Sequence, residues 1–245
     1  MRTETAVSHG GPVSRDSVTV HLPTPMIAAH STVLTVIAGL VAEARRRGAH
    51  DVVLIDPARA ERLDPAWVVA ASPFSFPWGR RRQAALAVDH VLGWASGRRP
   101  AVERLYRSAL HGVAVDEAGA LVLHDASFAY GALRPAHRAF GRLPTVLYSH
   151  IALSRSLGRR ELRRLVGQLD GVITVSSFLA NRLEGRLGRS DADISVVPNA
   201  VDLVEFSPGA AAGEKPPVLV AAGVTTPEKG FQHLDAALPL LRTPR

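Results

Sequence analysis

The spacing of apolar residues changes period repeatedly along the chain. Ser17 to Leu22 alternates apolar and polar, the period of a short strand, and Pro23-Thr24-Pro25 ends it. From Ser31 onward Val33, Val36, Ile37, Leu40, Val41 and Ala44 follow helical spacing, with Ser31 placed to cap the helix and Gly48 to stop it. Val52-Val53-Leu54-Ile55 is then a continuous apolar run of strand length. Strand, helix and strand in this order predict the start of a parallel sheet.

The same alternation resumes in the second half. Leu121 to Asp125 and Thr145 to His150 are short apolar runs that each end in polar residues, where open α/β sheets present ligand-binding groups. A basic helix follows over Ser156 to Leu169, with Leu157, Leu162, Leu165, Val166 and Leu169 inward and Arg159, Arg160, Arg163 and Arg164 outward. Val172 to Val175 is a strand, Ser176-Ser177 caps a helix through Phe178, Leu179, Leu183 and Leu187, Gly188 closes it, and Ile194 to Val197 is a further strand. The pattern predicts an α/β fold: a Rossmann-like, doubly wound parallel sheet over residues 17–198.

Three further segments have their own character. Residues 1–16 are polar and rich in Gly, Ser and His, the composition of a mobile terminus. Between Phe76 and Arg107, seven Arg oppose only Asp89 and Glu103, with Trp78, Trp94 and Tyr106 interspersed. That composition suits an anionic lipid surface, although a solvated helix pair is the more common use of such charge. Residues 199–217 read as a linker, and 218–245 as the start of a second domain: strand Val218 to Ala222, then a helix over Gly230 to Leu241 with Phe231, Leu234, Leu238 and Leu241 on one face. One strand and one helix do not close a core, so the second Rossmann-like domain reads as incomplete and the chain as truncated.

Composition narrows the function classes. The chain has 245 residues, 47% of them hydrophobic and 21% charged, and no Cys, which leaves out a disulfide scaffold, thiolate catalysis and Cys-ligated metal. The net charge of +7 is almost all Arg, only Lys215 and Lys229 being lysine, and no recognised nucleic-acid module appears, so no nucleic-acid partner is expected. No N-terminal apolar segment marks a signal peptide and no apolar run approaches bilayer length, which predicts a cytoplasmic protein, with peripheral attachment at the inner membrane face left open.

The stretch Asp193 to Gly230 carries the most specific signature. It runs Ile194-Ser-Val-Val-Pro198-Asn199-Ala200-Val201-Asp202, then Phe206-Ser207-Pro208, then Val218 to Gly223, and finally Pro227-Glu228-Lys229-Gly230. Together with Asp170 to Ser176 upstream, this order resembles the domain junction of family 4 glycosyltransferases. The resemblance implies the two-domain GT-B fold, residues 17–198 forming its N-terminal, acceptor-side domain. It also implies transfer of a sugar from a nucleotide-sugar donor, such as a UDP- or GDP-sugar, to a hydroxyl of a glycan, lipid or small-molecule acceptor with retention of configuration. No separate cofactor and no metal are implied, because cations and helix N-termini stabilise the diphosphate leaving group.

By the same resemblance, His150 is the catalytic-site residue contacting the transferring sugar. Lys229, Gly223, Glu228 and Ser176 bind the donor, and Asn199 and Asp202 shape the hinge. His124 and His30 are additional candidates. The sequence departs from the family pattern in three places: the first strand–helix loop, Pro23 to His30, has no Gly-Gly pair, Ala200 stands where the turn has Gly, and Val224 stands where a second donor-binding cation is expected. These departures keep two alternatives open, a non-catalytic remnant or acceptor-binding module, and a peripheral membrane-binding protein.

Overall fold

The computed structural model describes residues 17–24, 31–61, 63–71, 80–96, 98–124, 126–153, 157–188, 193–204, 206–207, 218–223 and 227–240. The side chains of residues 80–83, 126–127 and 228 are outside the description. The chain divides into two units, Met1–Ala200 and Val201–Arg245.

The first unit is built on a sheet of seven parallel strands. They are β1 (Val18–Pro23), β2 (His50–Ile55), β3 (Val68–Ala70), β4 (Ala118–His124), β5 (Thr145–Ser149), β6 (Gly171–Thr174) and β7 (Ile194–Val196), in the order β3-β2-β1-β4-β5-β6-β7. The helices are α1 (Thr32–Arg46), α2 (Arg80–Ser96), α3 (Pro100–Ala109), α4 (Ala126–Phe140), α5 (Arg159–Val166) and α6 (Ser177–Leu187). The winding runs outward from β1 in one direction and from β4 in the other. The boundary between them is the switch point at which such sheets open a crevice beyond the strand ends.

The α1 boundaries follow from local chemistry. Ser31 Oγ accepts the Val33 N–H at 3.2 Å, and Gly48 takes up φ of +82° past the last turn. The buried stripe of α1 is Leu34, Ile37 and Val41, rotated slightly from the expected one by the entry of Leu34. It packs on Val53 and Ile55, and such fully buried aliphatic side chains contribute about 1.5–3 kcal/mol each. The opposite face, with Val20, Leu22, Leu54, Leu121, Leu123, Leu147 and Val172, forms one large core with α3, α4, α5 and α6. Leu157, Leu162, Leu165, Val166 and Leu169 join that core as their spacing predicts.

Two elements were not marked by the sequence pattern. One is the three-residue β3. The other is α4, which holds Gly131 and Pro135 in its interior, both unfavourable to an isolated helix. Packing explains Gly131: a Cβ there would lie 2.4 Å from Val102 Cγ1, so the glycine lets α4 approach α3 closely.

The basic middle segment is less uniformly exposed than its composition suggests. Arg104 and Arg107 are exposed, but Arg99 is buried and ion-paired with Glu161, and Asp89 is buried beneath the start of α3. The residues at 73–78 lie outside the described region.

In the second unit, Val218–Ala222 forms no strand, contrary to its apolar pattern. A strand needs a ladder partner, and the described residues of this unit supply none. The helix expected from Gly230 is shorter than predicted: α7 spans Phe231–Ala237, preceded by a 3₁₀ turn at Pro227–Lys229 and followed by another at Leu238–Leu240. Gly230 enters α7 at φ of +74°, a conformation glycine adopts without Cβ strain.

Candidate functional site

The carboxyl ends of β1, β4 and β5 carry a histidine each, on the sheet face covered by α1. Register fixes this placement: His21 pairs with Val53 on one side and Val122 on the other, and His124 pairs with Tyr148. Side chains two residues apart share a face, so Asp51, His21, His124 and Tyr148 lie on one face of the sheet, stepping diagonally toward its carboxyl edge, and His150 continues the line just beyond β5.

These side chains are joined in a line. Asp51 Oδ2 lies 3.0 Å from His21 Nε2, His21 Nδ1 lies 2.9 Å from His124 Nε2, and His124 Nδ1 lies 3.1 Å from His150 Nε2. The rings also overlap. His21 and His124 stack with centroids 5.2 Å apart, His124 and His150 at 5.4 Å, and Tyr148 and His150 at 4.7 Å. Tyr148 is held from its far end by a 3.2 Å hydrogen bond from its hydroxyl to the Val197 carbonyl. Each hydrogen bond here pairs one polar atom with another, so a polar row is tolerated inside an apolar layer.

Burial sets the charge. His124 is 1% exposed, and desolvation, followed by the neighbouring His21 and His150, holds its pKa well below the ordinary imidazole value. His150 is pushed down to about 4 by burial, although its edge remains partly open. Both rings are therefore neutral at neutral pH. Among the described residues no set of three His, Cys, Asp or Glu groups converges on a metal-sized point; these nitrogens face one another in sequence instead.

His150 and His124, two of the residues expected from the sequence, are thus brought together. Ser176 is at the same edge of the sheet, one strand further: it caps α6, its Oγ accepting the Leu179 N–H at 3.3 Å. A small depression beside it is lined by Ser149, Ile151, Thr174, Leu179, Arg182 and Leu183, among others. His30 falls outside the described residues. Asn199 is exposed in the segment after β7. In the second unit, Asp202 closes a turn, its Oδ1 accepting the Val204 N–H at 2.8 Å. There also Gly223 faces Phe231 and Lys229, and Lys229 is exposed in the turn before α7. Val224 and the Glu228 side chain are not described.

A model of glycosyltransferase family 4 matches residues 33–205, more than half of the chain. The chain belongs to glycosyltransferase family 4. No curated protein matches the sequence. Among solved structures it is similar to the lipopolysaccharide outer core galactosyltransferase WaaB in its apo form, at 13% identity and TM-score 0.46 over 76% of this chain and 46% of that one. It is also similar to Anabaena Alr3699/HepE solved with UDP and glucose, at 16% identity and TM-score 0.48 over 78% of this chain and 46% of that one. This family 4 chain therefore spans less than half the length of either structure.

Sequence reasoning missed two members of the row, His21 and Asp51. The available signal was the position of His21 in β1, an ionisable residue between Val20 and Leu22 in a strand that is otherwise apolar at its carboxyl end. Asp51, at the start of β2, is legible as a partner only once the register brings β2 alongside β1.

Proposed function

We propose that this chain supplies the acceptor-side domain of a retaining glycosyltransferase, which moves a sugar from a nucleotide-sugar donor to an acceptor hydroxyl. The observation that carries this reading is the convergence of His124 and His150 at the switch point of a domain matched by the family model. A neutral imidazole at that edge donates to or accepts from a sugar hydroxyl without placing a competing charge beside a developing oxocarbenium centre.

In this reading His150 contacts the transferring sugar and Lys229 holds the donor diphosphate. Gly223 and Glu228 are further donor-binding residues of the second unit, and Ser176, at the α6 N-terminus, is one of the first unit. Asn199 and Asp202 shape the hinge. The reaction needs no metal, the leaving diphosphate being stabilised by cation and helix dipole. Calorimetry with UDP- and GDP-sugars tests the reading. Binding of one of them, weakened about 10- to 100-fold by Lys229→Ala, is the expected result, the loss of one charge-assisted partner being about 1.5–3 kcal/mol. No binding of either class to the folded chain favours a non-catalytic remnant.

A second reading concerns location and rests on α2. Val88, Val91, Leu92 and Trp94 are all exposed, Trp94 at 69%, with Arg104 and Arg107 exposed on α3. Such a surface suits peripheral attachment to an anionic membrane at its cytoplasmic face, which brings a lipid acceptor within reach. Among the described residues no helix is long and apolar enough to cross a membrane. Flotation with liposomes containing anionic lipid is expected to recover the chain at low salt and to lose it with Val91→Asp; equal recovery of the variant overturns this reading.

A further inference from the structure

The linear row Asp51–His21–His124–His150 has a direction, and the direction follows from donor and acceptor counting. A carboxylate only accepts, so the Asp51 contact requires a proton on His21 Nε2. In a neutral ring the other nitrogen is then a bare lone pair, so His21 Nδ1 accepts and His124 Nε2 carries the proton. The same step repeats: His124 Nδ1 accepts from His150 Nε2–H, and His150 Nδ1 is left as a lone pair. Among the described residues nothing hydrogen-bonds to that Nδ1. One buried carboxylate therefore sets the tautomer of a ring three links away.

We propose that Asp51, His21 and His124 are positioning residues that hold His150 in its Nε2–H tautomer, presenting Nδ1 as a hydrogen-bond acceptor to a ligand hydroxyl and as the entry point of a proton relay. A proton taken from that hydroxyl forms an N–H bond at His150 Nδ1. The Nε2 proton of His150 passes to His124 Nδ1, and the Nε2 proton of His124 passes to His21 Nδ1. Three N–H bonds form and three bonds break, the hydroxyl O–H and two N–H. The O–H electron pair stays on the oxygen as the attacking pair, and the one added positive charge ends on His21, whose Nε2 lies 3.0 Å from the Asp51 carboxylate. Burial disfavours charge on His124 and His150, whereas His21 has a counter-ion, so the relay carries charge away from the reacting edge.

Among the described residues the ionisable groups around the row are few. They are Asp51 on β2, His21 on β1, His124 on β4 and Tyr148 beside His150. Arg45 of α1 also reaches Asp51, but its Nε donates at 2.9 Å to the backbone carbonyl and leaves the carboxylate to His21. Catalytic use of the relay rests on the glycosyltransferase reading; the tautomer order does not.

Nitrogen-15 NMR of the histidine rings tests the proposal independently of any sugar. At neutral pH, His21, His124 and His150 are expected as single Nε2–H tautomers. On acidification the first proton to enter the row is read as the His150 N–H moving from Nε2 to Nδ1, with His150 still singly protonated. Asp51→Asn, whose amide can also donate, is expected to turn His150 into a tautomer mixture, and Asp51→Glu to restore the single form. An Nδ1–H tautomer of His150 in the unaltered protein overturns the proposal. So does a charge that settles on His150 itself, or, where Asp51→Asn folds, an unchanged His150 spectrum. These outcomes are separate from calorimetry: intact tautomer order without nucleotide-sugar binding removes the glycosyltransferase reading and leaves the relay standing.

Discussion

Two buried polar clusters occupy opposite sides of the sheet, and they are built on different rules. On the side of α2, α3 and α5, the buried charges Arg99, Glu161 and Asp89 each meet a counter-charge or a helix terminus. Arg99 reaches both Glu161 oxygens, from Nε at 3.0 Å and from a terminal guanidinium nitrogen at 3.3 Å, and Glu161 also accepts the Gly158 N–H at 2.8 Å where α5 begins. Asp89 accepts the Ala101 and Val102 N–H groups at 2.9 and 2.8 Å, satisfying two orphan donors of α3 from a neighbouring helix. This cluster is closed, and its role is to fix three helices to one another. The histidine row on the α1 side has one carboxylate at its inner end and a partly open ring at its outer end. A closed network resists change; an open one transmits it. Position in the fold separates the two, since only the histidine row ends at the carboxyl edge of the sheet, beside the switch point.

The largest effect is expected from breaking the closed cluster. Glu161→Ala removes the buried carboxylate that Arg99 reaches with two nitrogens, and breaking such a pair should cost about 3–5 kcal/mol of stability, read as a lower urea midpoint. Gly93 belongs to the same arrangement, because a Cβ there would stand 2.0 Å from Glu161 Oε1. A loss below about 1 kcal/mol in Glu161→Ala would mean that the ion pair is dispensable to the packing of α2, α3 and α5.

A smaller and pH-dependent effect is expected from the open row. The His150 pKa is lowered in the folded protein, so the unfolded chain binds more protons between the ordinary imidazole value and about 4. The stability contributed by the neutral ring is complete above the unfolded pKa and is lost as pH falls through this window, with a limiting slope of about 1.4 kcal/mol per pH unit for one proton. Burial of His124 adds in the same direction, beginning at the same unfolded imidazole value. Urea midpoints measured from pH 7 to pH 4 should fall in the unaltered protein and fall less in His150→Gln. Equal slopes in the two proteins would mean that the neutral His150 ring contributes nothing to this pH dependence and would weaken the contrast between the clusters.

Most of the frame was legible from residue order. Ser31, Gly48, Ser176 and Gly188 mark helix ends by local hydrogen bonding and backbone conformation, and local signals survive without tertiary context. The helix α4 was not legible, because Gly131 and Pro135 argue against it locally and the contact with Val102 that accommodates Gly131 comes from 29 positions away along the sequence. The apolar run Val218–Ala222 failed in the opposite sense: its propensity for strand is strong, but a strand forms only against a partner.

The sequence by itself determined the period of each element, the parallel α/β architecture, the family, and the candidacy of His124 and His150 as polar ends of apolar strands. Only the tertiary structure decided that those two rings touch, that His21 and Asp51 complete their row, and that Arg99 and Asp89 are interior rather than surface charges. The physical reason is range. Caps and periodicity act within a few residues, whereas the row joins positions 21, 51, 124 and 150, which become neighbours only when β2, β1, β4 and β5 lie side by side in register.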